Sequence, residues 1–598
     1  MVDDKRDLWN RLPKHNLSKK SIKKHMRKVE GATLRHAHKF VVKRLDSVRE
    51  VQRNVVVWVL IVGLLIAATG LQLMWNQQSY QTTTSANDGT YAEAVLGPVE
   101  TLNPLFARTN AEQSASYLLF SRLMHYDSTG HLGYDLATDV KINDAKTVYT
   151  VTINPYAKWH DGVKLTAKDV VFTVDLMKSP DTRAIGAGWD GVTVKVIDDL
   201  TIEFSLQSTY AAFDNALTFA ILPQHILDGV APTNIRENIF SRNPIGSGPF
   251  KINLVQDIDI KSGRKVIYMI RNDNYYGGMA NLSHFQLRIY DTNEAIVDAL
   301  SSNEVTAAAG LSPIDIQNVN LNRYNISVEP IQSGVYALIN TKSNLLQDIT
   351  MRKVLQMATN TSAIIKKLPV GTPAIWLPFT SNQLTGDVPA APIYDKPGAI
   401  KLLDENGWKL NSKNIREKDG AELKLSVVTI KNSEFEYVLE ILADQWRELG
   451  MTIEIKIIDL SDETQNVVQS VLQPRNYDVL LYQLDIGADP DVYVYWHSSQ
   501  ASLQGSNYSN YSNVISDDAL TSARSRVEPA LRNAKYLTFA KQWLVDIPAI
   551  GLYQSTIKYV TSRKADSFDV SNVLIAPIDR YSDVLNWSVG SRTVYKTP

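Results

Sequence analysis

The chain contains no cysteine among its 598 residues. This absence excludes a disulfide framework, thiolate catalysis, zinc–thiolate sites and attachment to a lipid through an N-terminal cysteine. The chain also lacks the H-E-x-x-H, G-x-S-x-G and phosphate-loop lysine motifs that mark several classes of enzyme. We therefore expect a protein that is not an enzyme and that needs neither a metal nor a cofactor.

The net charge is near zero because two unequal parts balance each other. The whole chain has a formal charge of −1, whereas residues 1–53 contain 16 Lys/Arg against 6 Asp/Glu, a charge of +10 that leaves −11 for the remainder. A basic segment of this kind can bind nucleic acid, but its place before an apolar run favours the anionic inner leaflet of a membrane. The length predicts two or more domains.

An apolar run without charge, VVVWVLIVGLLIAATGLQLMW, occupies positions 55–75. As a helix it would be roughly 31 Å long, which matches the hydrocarbon thickness of a bilayer. Lysines and arginines flank its N-terminal side, and no charge follows it until Asp88. The positive-inside rule then places the N-terminus in the cytoplasm and the rest of the chain outside the cell membrane.

This run has two other interpretations. A cleaved signal peptide normally has a shorter basic region and a shorter apolar stretch, although Ala67-Ala68 and Ser85-Ala86 are small enough for cleavage. A buried core helix would not need the one-sided flanking charge. We expect a basic cytoplasmic segment at 1–54, a transmembrane signal anchor at 55–75 and a flexible polar linker at 76–90.

From residue 91 onward, short alternating strands and amphipathic helices predict an α/β body. The segment TVYTVTIN (147–154) alternates as a half-buried strand does, and Thr166 with Asp169 predicts the start of a helix. Further on, the predicted strands 423–430 and 451–459 flank the amphipathic helix SEFEYVLEILADQWREL. Such a strand–helix–strand unit predicts a parallel pair of strands.

Seven segments between residues 100 and 553 resemble, in the same order, one family of proteins. They are ETLNPLFARTNAEQSASYLLFSRLMHYDSTG (100–130), YTVTINPYAKWHDGVKLTAKDVVFTVDLM (149–177), NPIGSGPF (243–250), ALINTKSNLLQDITMRKVLQMATN (337–360), DPDVYVYWHSSQ (489–500), NYSNYSN (507–513) and DIPAIGLY (546–553). The family is the peptide/nickel group, family 5, of extracellular solute-binding proteins, which serve ABC importers.

The resemblance implies a two-lobed α/β fold of the periplasmic-binding-protein type, with a hinge and a cleft between the lobes. Residues 91–334 and 554–598 would form lobe I, and residues 335–553 would form lobe II. The implied function is a monomeric, membrane-anchored receptor that captures an extended peptide and delivers it to the permease subunits of an ABC transporter. No nucleic-acid partner is expected.

The resemblance also places a ligand site in the segment LLYQLDIGADPDVYVYWHSS (480–499), where the family holds the peptide's ammonium group with an acidic residue. Asp489 is the first candidate for that role and Asp491 the second. Main-chain groups of Asp485, Ile486 and Gly487 would bind the ligand, and Tyr493, Tyr495 and Trp496 would form walls of the cleft. The alternative is that Asp489 and Asp491 only make a turn before a helix.

A glycine pattern and two histidines are further candidate signals in the sequence. The pattern G-x-G-x-x-G at 186–191 is interpreted as a loop because strands, not a helix, are predicted after it. His160 beside Asp161 is interpreted as structural, and His497 is the one histidine near the predicted cleft.

Three rival functions stay open: a receptor for a non-peptide solute, an enzyme such as a peptidase, and an interaction protein that signals through residues 1–53.

Overall fold

The computed structural model describes residues 48–85, 88–184, 189–459, 468–569, 571 and 573–595. Contacts divide the chain into two compact units, and the second runs from Ser85 to Ser591. The first unit contains the helix Val48–Tyr80 and most of the strands Gln81–Ser85 and Ser591–Tyr595, which pair with each other. The predicted linker at 76–90 therefore includes helical and strand residues, and its role as a linker stays a prediction.

The helix Val48–Tyr80 contains the apolar run that the sequence singled out. Its segment Val55–Trp75 has a mean hydropathy of 2.4, and its side chains are exposed along the whole segment. By length and composition this segment is a candidate membrane span. An exposed apolar surface of this extent is unfavourable in water and favourable in a bilayer.

A mixed sheet of ten strands forms the centre of the second unit. Its strands, in spatial order, are Thr452–Ile458, Lys424–Ile430, Val479–Asp485, Tyr324–Ile339, Ala549–Ser562, Ala307–Ala309, Thr90–Leu96, His284–Tyr290, Arg264–Arg271 and Phe250–Asp259.

The two longest strands, Tyr324–Ile339 and Ala549–Ser562, run antiparallel through the middle of this sheet. Their pairing shifts register between Pro330 and Gly334, where the intervening residues leave the ladder. Such a bulge bends the strands and frees backbone groups locally. We call these two strands the crossing strands, because each continues from one half of the sheet into the other.

The buried side chains form separate cores on the two sides of this bulge. The main core of the first lobe is built from buried side chains in two parts of the sequence, residues 91–309 and residues 557–587. The second lobe has two cores, both drawn from Val335 to Tyr553 and packed on the sheet. The two-lobed α/β fold is confirmed. The boundaries predicted at 334/335 and 553/554 stay predictions, because the crossing strands belong to both lobes.

The remaining strands form small sheets around these cores. They are Ala137–Ile142, Val148–Ile153, Thr201–Leu206 and Val192–Asp198 in one four-stranded sheet, Lys409–Leu410, Arg416–Lys418 and Ala421–Glu422 in another, and the pairs Met124–Tyr126 with Leu132–Tyr134 and Ala565–Asp566 with Ser588–Val589.

The other α-helices lie along the chain between these strands. They are Asn110–Leu119, Ala167–Lys178, Gln224–Leu227, Asn293–Ser301, Ile349–Ala358, Thr361–Ile365, Lys396–Glu405, Ser433–Arg447, Tyr493–Trp496, Val514–Ser525 and Pro529–Asp546.

Local sequence signals predicted several of these elements correctly. The helix Ala167–Lys178 begins where expected, with Oδ2 of Asp169 accepting the backbone N–H of Thr166 at 2.8 Å. The strands Lys424–Ile430 and Thr452–Ile458 pair in parallel, as the strand–helix–strand pattern predicted. The first glycines of the 186–191 pattern lie outside the described residues, and a strand follows the pattern from Val192.

Candidate ligand-binding cavity

A cavity of about 780 Å³ lies between the two lobes. This volume falls within the roughly 300–1,000 Å³ that binding sites for small molecules occupy. Its walls come from the helix Asn110–Leu119 of the first lobe, from the bulge of the crossing strands at Ile331–Ser333, and from the second lobe. Six charged residues line it: Arg108, Arg122, Lys431, Glu434, Asp485 and Lys558.

The second-lobe wall is built from the ends of two parallel strands. Lys424–Ile430 pairs in parallel with Val479–Asp485, so both carboxyl ends point to the same edge of the sheet. Lys431 and Glu434 follow the first strand, and Asp485 ends the second. Open α/β sheets commonly bind ligands at the carboxyl ends of their strands.

Three of these six lining charges, on Lys431, Glu434 and Lys558, are already paired inside the protein. Nζ of Lys558 forms a short ion pair with Oε2 of Glu434, and the hydroxyl of Tyr553 donates to Oε1 of Glu434 at 2.9 Å. Lys431 forms an ion pair with Asp459 at 2.7 Å. These groups shape the cavity, and their charges are largely neutralised within it.

Asp485 differs, because no cationic nitrogen of the described residues lies within 4 Å of its carboxylate. Its Oδ1 accepts hydrogen bonds from the hydroxyl of Ser333 at 2.9 Å and from Nε2 of Gln483 at 2.8 Å. These neutral donors hold the carboxylate in place without cancelling its charge. The hydroxyl of Tyr495 donates to the backbone oxygen of Asp485 at 2.8 Å and supports the same strand end.

Asp489 and Asp491 do not line the cavity in the described structure. Both oxygens of Asp489 accept hydrogen bonds from the guanidinium of Arg532, at 2.6 and 2.7 Å. Burial alone would lower the pKa of Arg532, but the hydrogen bonds and charge of Asp489 outweigh burial and raise it. Asp491 forms an ion pair with Nε of Arg524 at 2.8 Å. Their predicted ligand roles stay predictions.

The main-chain groups predicted to bind ligand are also engaged within the protein. The N–H groups of Ile486 and Gly487 both donate to the backbone oxygen of Gln332, at 2.9 and 3.0 Å. Gly487 lines the cavity, whereas the side chain of Ile486 is buried in the second-lobe core. These bonds fasten the second lobe to the bulge of the crossing strands.

The three residues predicted as aromatic walls are not among the described lining residues of the cavity. Trp496 is 1% exposed and packs edge-on against Tyr336 and Trp543 in the second-lobe core. Tyr493 stacks on His497 with ring centroids 4.1 Å apart. Their predicted role as walls of the ligand cleft stays a prediction.

Sequence reasoning missed the first-lobe wall. The helix Asn110–Leu119 turns Asn110, Gln113 and Ser116 toward the cavity, and Arg122 follows the helix. The spacing of three residues between these polar positions places them on one face of a helix. That spacing was the available signal, but it does not distinguish a solvent-facing side from a cavity wall.

The described residues contain no group of three or more His, Asp or Glu side chains arranged to hold a metal ion. Two lobes joined by crossing strands around a charged cavity define a solute-binding protein of the periplasmic type. The chain belongs to the bacterial extracellular solute-binding proteins, family 5, whose middle-region model matches residues 131–505. The resemblance to this family is thereby confirmed.

Individual known proteins are moderately similar to this chain. The oligopeptide-binding protein AppA of Bacillus subtilis (strain 168) is 28% identical over 476 residues, which cover 77% of this chain and 84% of AppA. The structure of Bacillus subtilis AppA in complex with a nonapeptide superposes with a TM-score of 0.72 at 24% identity, covering 85% of this chain and all of AppA. NikA from Brucella suis in complex with Fe(III)-EDTA gives a TM-score of 0.71 at 18% identity, covering 84% of this chain and all of NikA. The two structures show the shared fold.

Proposed function

We propose that this chain is the substrate-binding subunit of an ABC importer and that it captures peptides in the cavity between its lobes. The observation that carries the proposal is the cavity itself, with the carboxylate of Asp485 lacking a cationic partner at its second-lobe wall. The carboxylate of Asp485 is exposed at this wall and can accept charge-assisted hydrogen bonds from a cationic group of a ligand. The N-terminal ammonium of a peptide supplies such a group. AppA, which is named as an oligopeptide-binding protein, supports the peptide as ligand.

In this proposal Asp485, rather than Asp489, holds the peptide's ammonium group. Asp489 is already occupied by Arg532 through two hydrogen bonds. A ligand that displaced Arg532 would leave a partly buried guanidinium without its counter-charge, which is unfavourable. Asp485 binds an ammonium group without breaking an ion pair.

Capture then involves closure of the lobes about the crossing strands. The register shift between Pro330 and Gly334 lies at the cavity, where Gln332 and Ser333 contact Ile486, Gly487 and Asp485. A bend at this bulge changes the distance between the first-lobe and second-lobe walls, as hinge closure does in binding proteins. A ligand that contacts both walls favours the closed state by its additional contacts there.

The helix Val55–Trp75 is proposed to anchor the receptor in the cell membrane beside its permease. Its exposed apolar side chains and the basic residues before it support an N-terminus in the cytoplasm and a body outside. Protease added to intact spheroplasts should degrade residues 91–598 and leave an N-terminal fragment protected. Full protection of the body would contradict this topology.

A non-peptide solute is the second candidate ligand class. The first-lobe wall carries Arg108 and Arg122, which suit an anionic solute as well as a peptide, and the fold is shared with NikA, whose structure contains Fe(III)-EDTA. A peptide and an anionic chelate differ in one testable group, the ammonium that Asp485 is proposed to bind.

Titration calorimetry on the full chain in detergent tests the peptide assignment. The protein, freed of bound ligand by unfolding and refolding on a column, is titrated with a pool of tri- to pentapeptides, with free and with acetylated N-termini. We expect binding of the free pool and an affinity weakened by about tenfold or more on acetylation and in Asp485→Asn. Asp387→Asn, at an exposed carboxylate of the second lobe, is the matched control and should bind normally. No heat with either pool would overturn the peptide proposal.

A further inference from the structure

Arg122 lies three residues after the end of the helix Asn110–Leu119, at a first-lobe wall shared by two cavities. One is the cavity between the lobes, and the other has a volume of about 310 Å³ and is lined by Tyr117, Asp135 and Tyr276 among others. We propose that the guanidinium of Arg122 binds a carboxylate of the captured peptide. This inference rests on the proposed peptide-binding function and extends it to the other end of the ligand.

The internal partners of Arg122 are too few for a buried guanidinium. The residue is 8% exposed, yet no carboxylate oxygen of the described residues lies within 4 Å of its side chain. Its one hydrogen bond to a described residue, from Nη1 to the backbone oxygen of Phe120, is 3.4 Å long. The guanidinium otherwise packs over the ring of Tyr117, 4.4 Å from the ring centroid. Buried charges are normally paired and hydrogen-bonded.

The four other buried arginines of the described chain have more internal partners than Arg122. Arg580 and Arg416 each form an ion pair, with Glu93 and Asp404. Arg352 donates three hydrogen bonds to backbone oxygens, and Arg475 donates four, of which two exceed 3.2 Å. Arg122 has neither a carboxylate nor a set of carbonyl groups. It is the exception, and it is the one among these five that lines the cavity between the lobes.

The acidic residues near Arg122 are committed to other groups. Oδ2 of Asp135 accepts the backbone N–H of Arg122 at 2.8 Å, and its Oδ1 accepts the hydroxyls of Tyr275 and Tyr276. Oδ2 of Asp579 accepts the backbone N–H of Ala576 at 2.7 Å. Neither carboxylate reaches the side chain of Arg122, so an anion that completes its hydrogen bonds has to come from the cavity.

A peptide carboxylate fits this position for reasons of geometry and charge. A guanidinium presents a planar fork of N–H donors that matches the two oxygens of a carboxylate. Asp485 lies on the second-lobe wall of the same cavity and Arg122 on the first-lobe wall. A peptide with a free ammonium and a free carboxylate would therefore contact oppositely charged groups on the two lobes, and it would favour their closure over the open state.

The carboxylate has two sources in a peptide, the C-terminus and an acidic side chain, and the test separates them. The full chain in detergent is titrated with one pool of tri- to pentapeptides that lack Asp and Glu, prepared as free acids and as C-terminal amides. A second pool contains Asp and Glu and is fully amidated at its C-termini. A comparison of the acids with the amides in the first pool measures the effect of the terminal carboxylate. A comparison of the second pool with the amides of the first measures the effect of a side-chain carboxylate.

We expect peptides that carry a carboxylate, at the C-terminus or on a side chain, to bind about tenfold or more tightly than the neutral amides. This preference should be lost in Arg122→Met. Arg122→Lys should keep part of the preference, because it keeps the charge but not the fork. Arg242→Gln is the matched control, since Arg242 is an exposed arginine of the first lobe that does not line the cavity, and it should keep the preference in full. The comparison of acids with amides on the unmodified chain does not depend on the folding of any variant.

Three outcomes would overturn the assignment of Arg122. Equal affinity of the unmodified chain for the neutral acids, the neutral amides and the amidated peptides with Asp and Glu would show that no carboxylate is bound. A preference that survives in Arg122→Met would place the carboxylate on another residue. No binding of any pool by the unmodified chain would overturn the proposed peptide function together with this inference, which distinguishes that failure from the first two.

Discussion

The guanidinium of Arg532 holds both carboxylate oxygens of Asp489, with Nη2 2.6 Å from Oδ1 and Nη1 2.7 Å from Oδ2. Arg532 lies in the helix Pro529–Asp546, and Asp489 in the loop after the strand Val479–Asp485. Both side chains are about one-sixth exposed, so this pair is largely shielded from water. The pair joins a loop at the cavity to a helix of the second-lobe core.

Asp489→Asn should therefore destabilise the fold. Loss of one partner leaves the other charge partly buried and unpaired, which costs about 3 kcal/mol. Guanidinium unfolding of the full chain in detergent, followed by tryptophan fluorescence, should show a lower midpoint. Asp387→Asn, which breaks an exposed pair with Lys541, should leave the midpoint unchanged. An unchanged midpoint for Asp489→Asn together with lost peptide binding would return the ammonium role to Asp489.

A contact between the lobes outside the crossing strands leads to a second prediction. The guanidinium of Arg524, in the second lobe, lies between the rings of Tyr210 and Tyr493, 4.9 and 4.4 Å from their centroids. The backbone N–H of Ala211 also donates to the backbone oxygen of Arg524 at 3.0 Å. Tyr210 and Ala211 belong to the first lobe, so these contacts hold the two lobes together.

Tyr210→Ala should weaken the closed state and speed the release of ligand. Removal of one aromatic face from Arg524 costs about 1 kcal/mol, which corresponds to a dissociation rate faster by roughly five- to tenfold. Stopped-flow fluorescence with a bound peptide measures that rate. Tyr156→Ala removes a highly exposed first-lobe tyrosine and serves as the control, with no expected change. Equal release rates for the two variants would show that the contact does not hold the lobes closed.

The sequence was sufficient for the elements of the fold and insufficient for the site. The capping pair of Thr166 and Asp169 and the alternation at 147–154 are local patterns, and each predicted its element correctly. The partner of Asp489 lies 43 residues away, and nothing in the local pattern around either residue points to the other. An aspartate that binds an internal arginine and one that binds a ligand look alike in a sequence.

The same limit explains why Arg122 was missed. Its burial depends on the cavity between the lobes, and its isolation can be seen only by comparison with the surroundings of the other buried arginines. Asp485 was identified for its main chain, because a strand end was visible in the sequence. The lack of a cation near its side chain is a property of the folded protein.

His160, interpreted from the sequence as structural, leads to a prediction about pH. Its Nδ1 accepts the backbone N–H of Gly246 at 3.2 Å, and its Nε2 donates to the backbone oxygen of Gly248 at 3.1 Å. Burial lowers the pKa of this histidine to about 4. The unfolded chain takes up a proton near pH 6.5 and the folded chain does not, so stability is full above about pH 6.5 and falls as the pH drops toward 4.

His160→Gln should reduce this sensitivity to acid, because the glutamine amide can donate and accept but does not titrate. The loss of unfolding free energy between pH 7 and pH 5 should be smaller by about 2 kcal/mol in the variant than in the unmodified chain. Urea unfolding at the two pH values measures the difference. Identical losses in both proteins would mean that His160 is not the group responsible.

Asp579 gives the last prediction, which couples protons to the proposed carboxylate site. Burial raises the pKa of Asp579 to about 6, while the N–H of Ala576 and the charges of Arg122 and Arg580 act in the opposite direction. Because this raised pKa belongs to a carboxyl group, its contribution to stability falls as the pH rises from about 4 to about 6. A carboxylate bound to Arg122 would offset the positive charge that favours ionised Asp579, and it would raise the pKa further.

Binding of a peptide acid near pH 6.5 should therefore be accompanied by proton uptake. Calorimetric titration in two buffers of different ionisation enthalpy measures the number of protons taken up, and Asp579→Asn should take up fewer than the unmodified chain. Protonation changes of the peptide itself are the same for both proteins and cancel in the comparison. Peptide amides, which do not bring a carboxylate to Arg122, should show little difference between the two. Equal uptake by both proteins with the acid would mean that the bound carboxylate lies too far from Arg122 to affect Asp579.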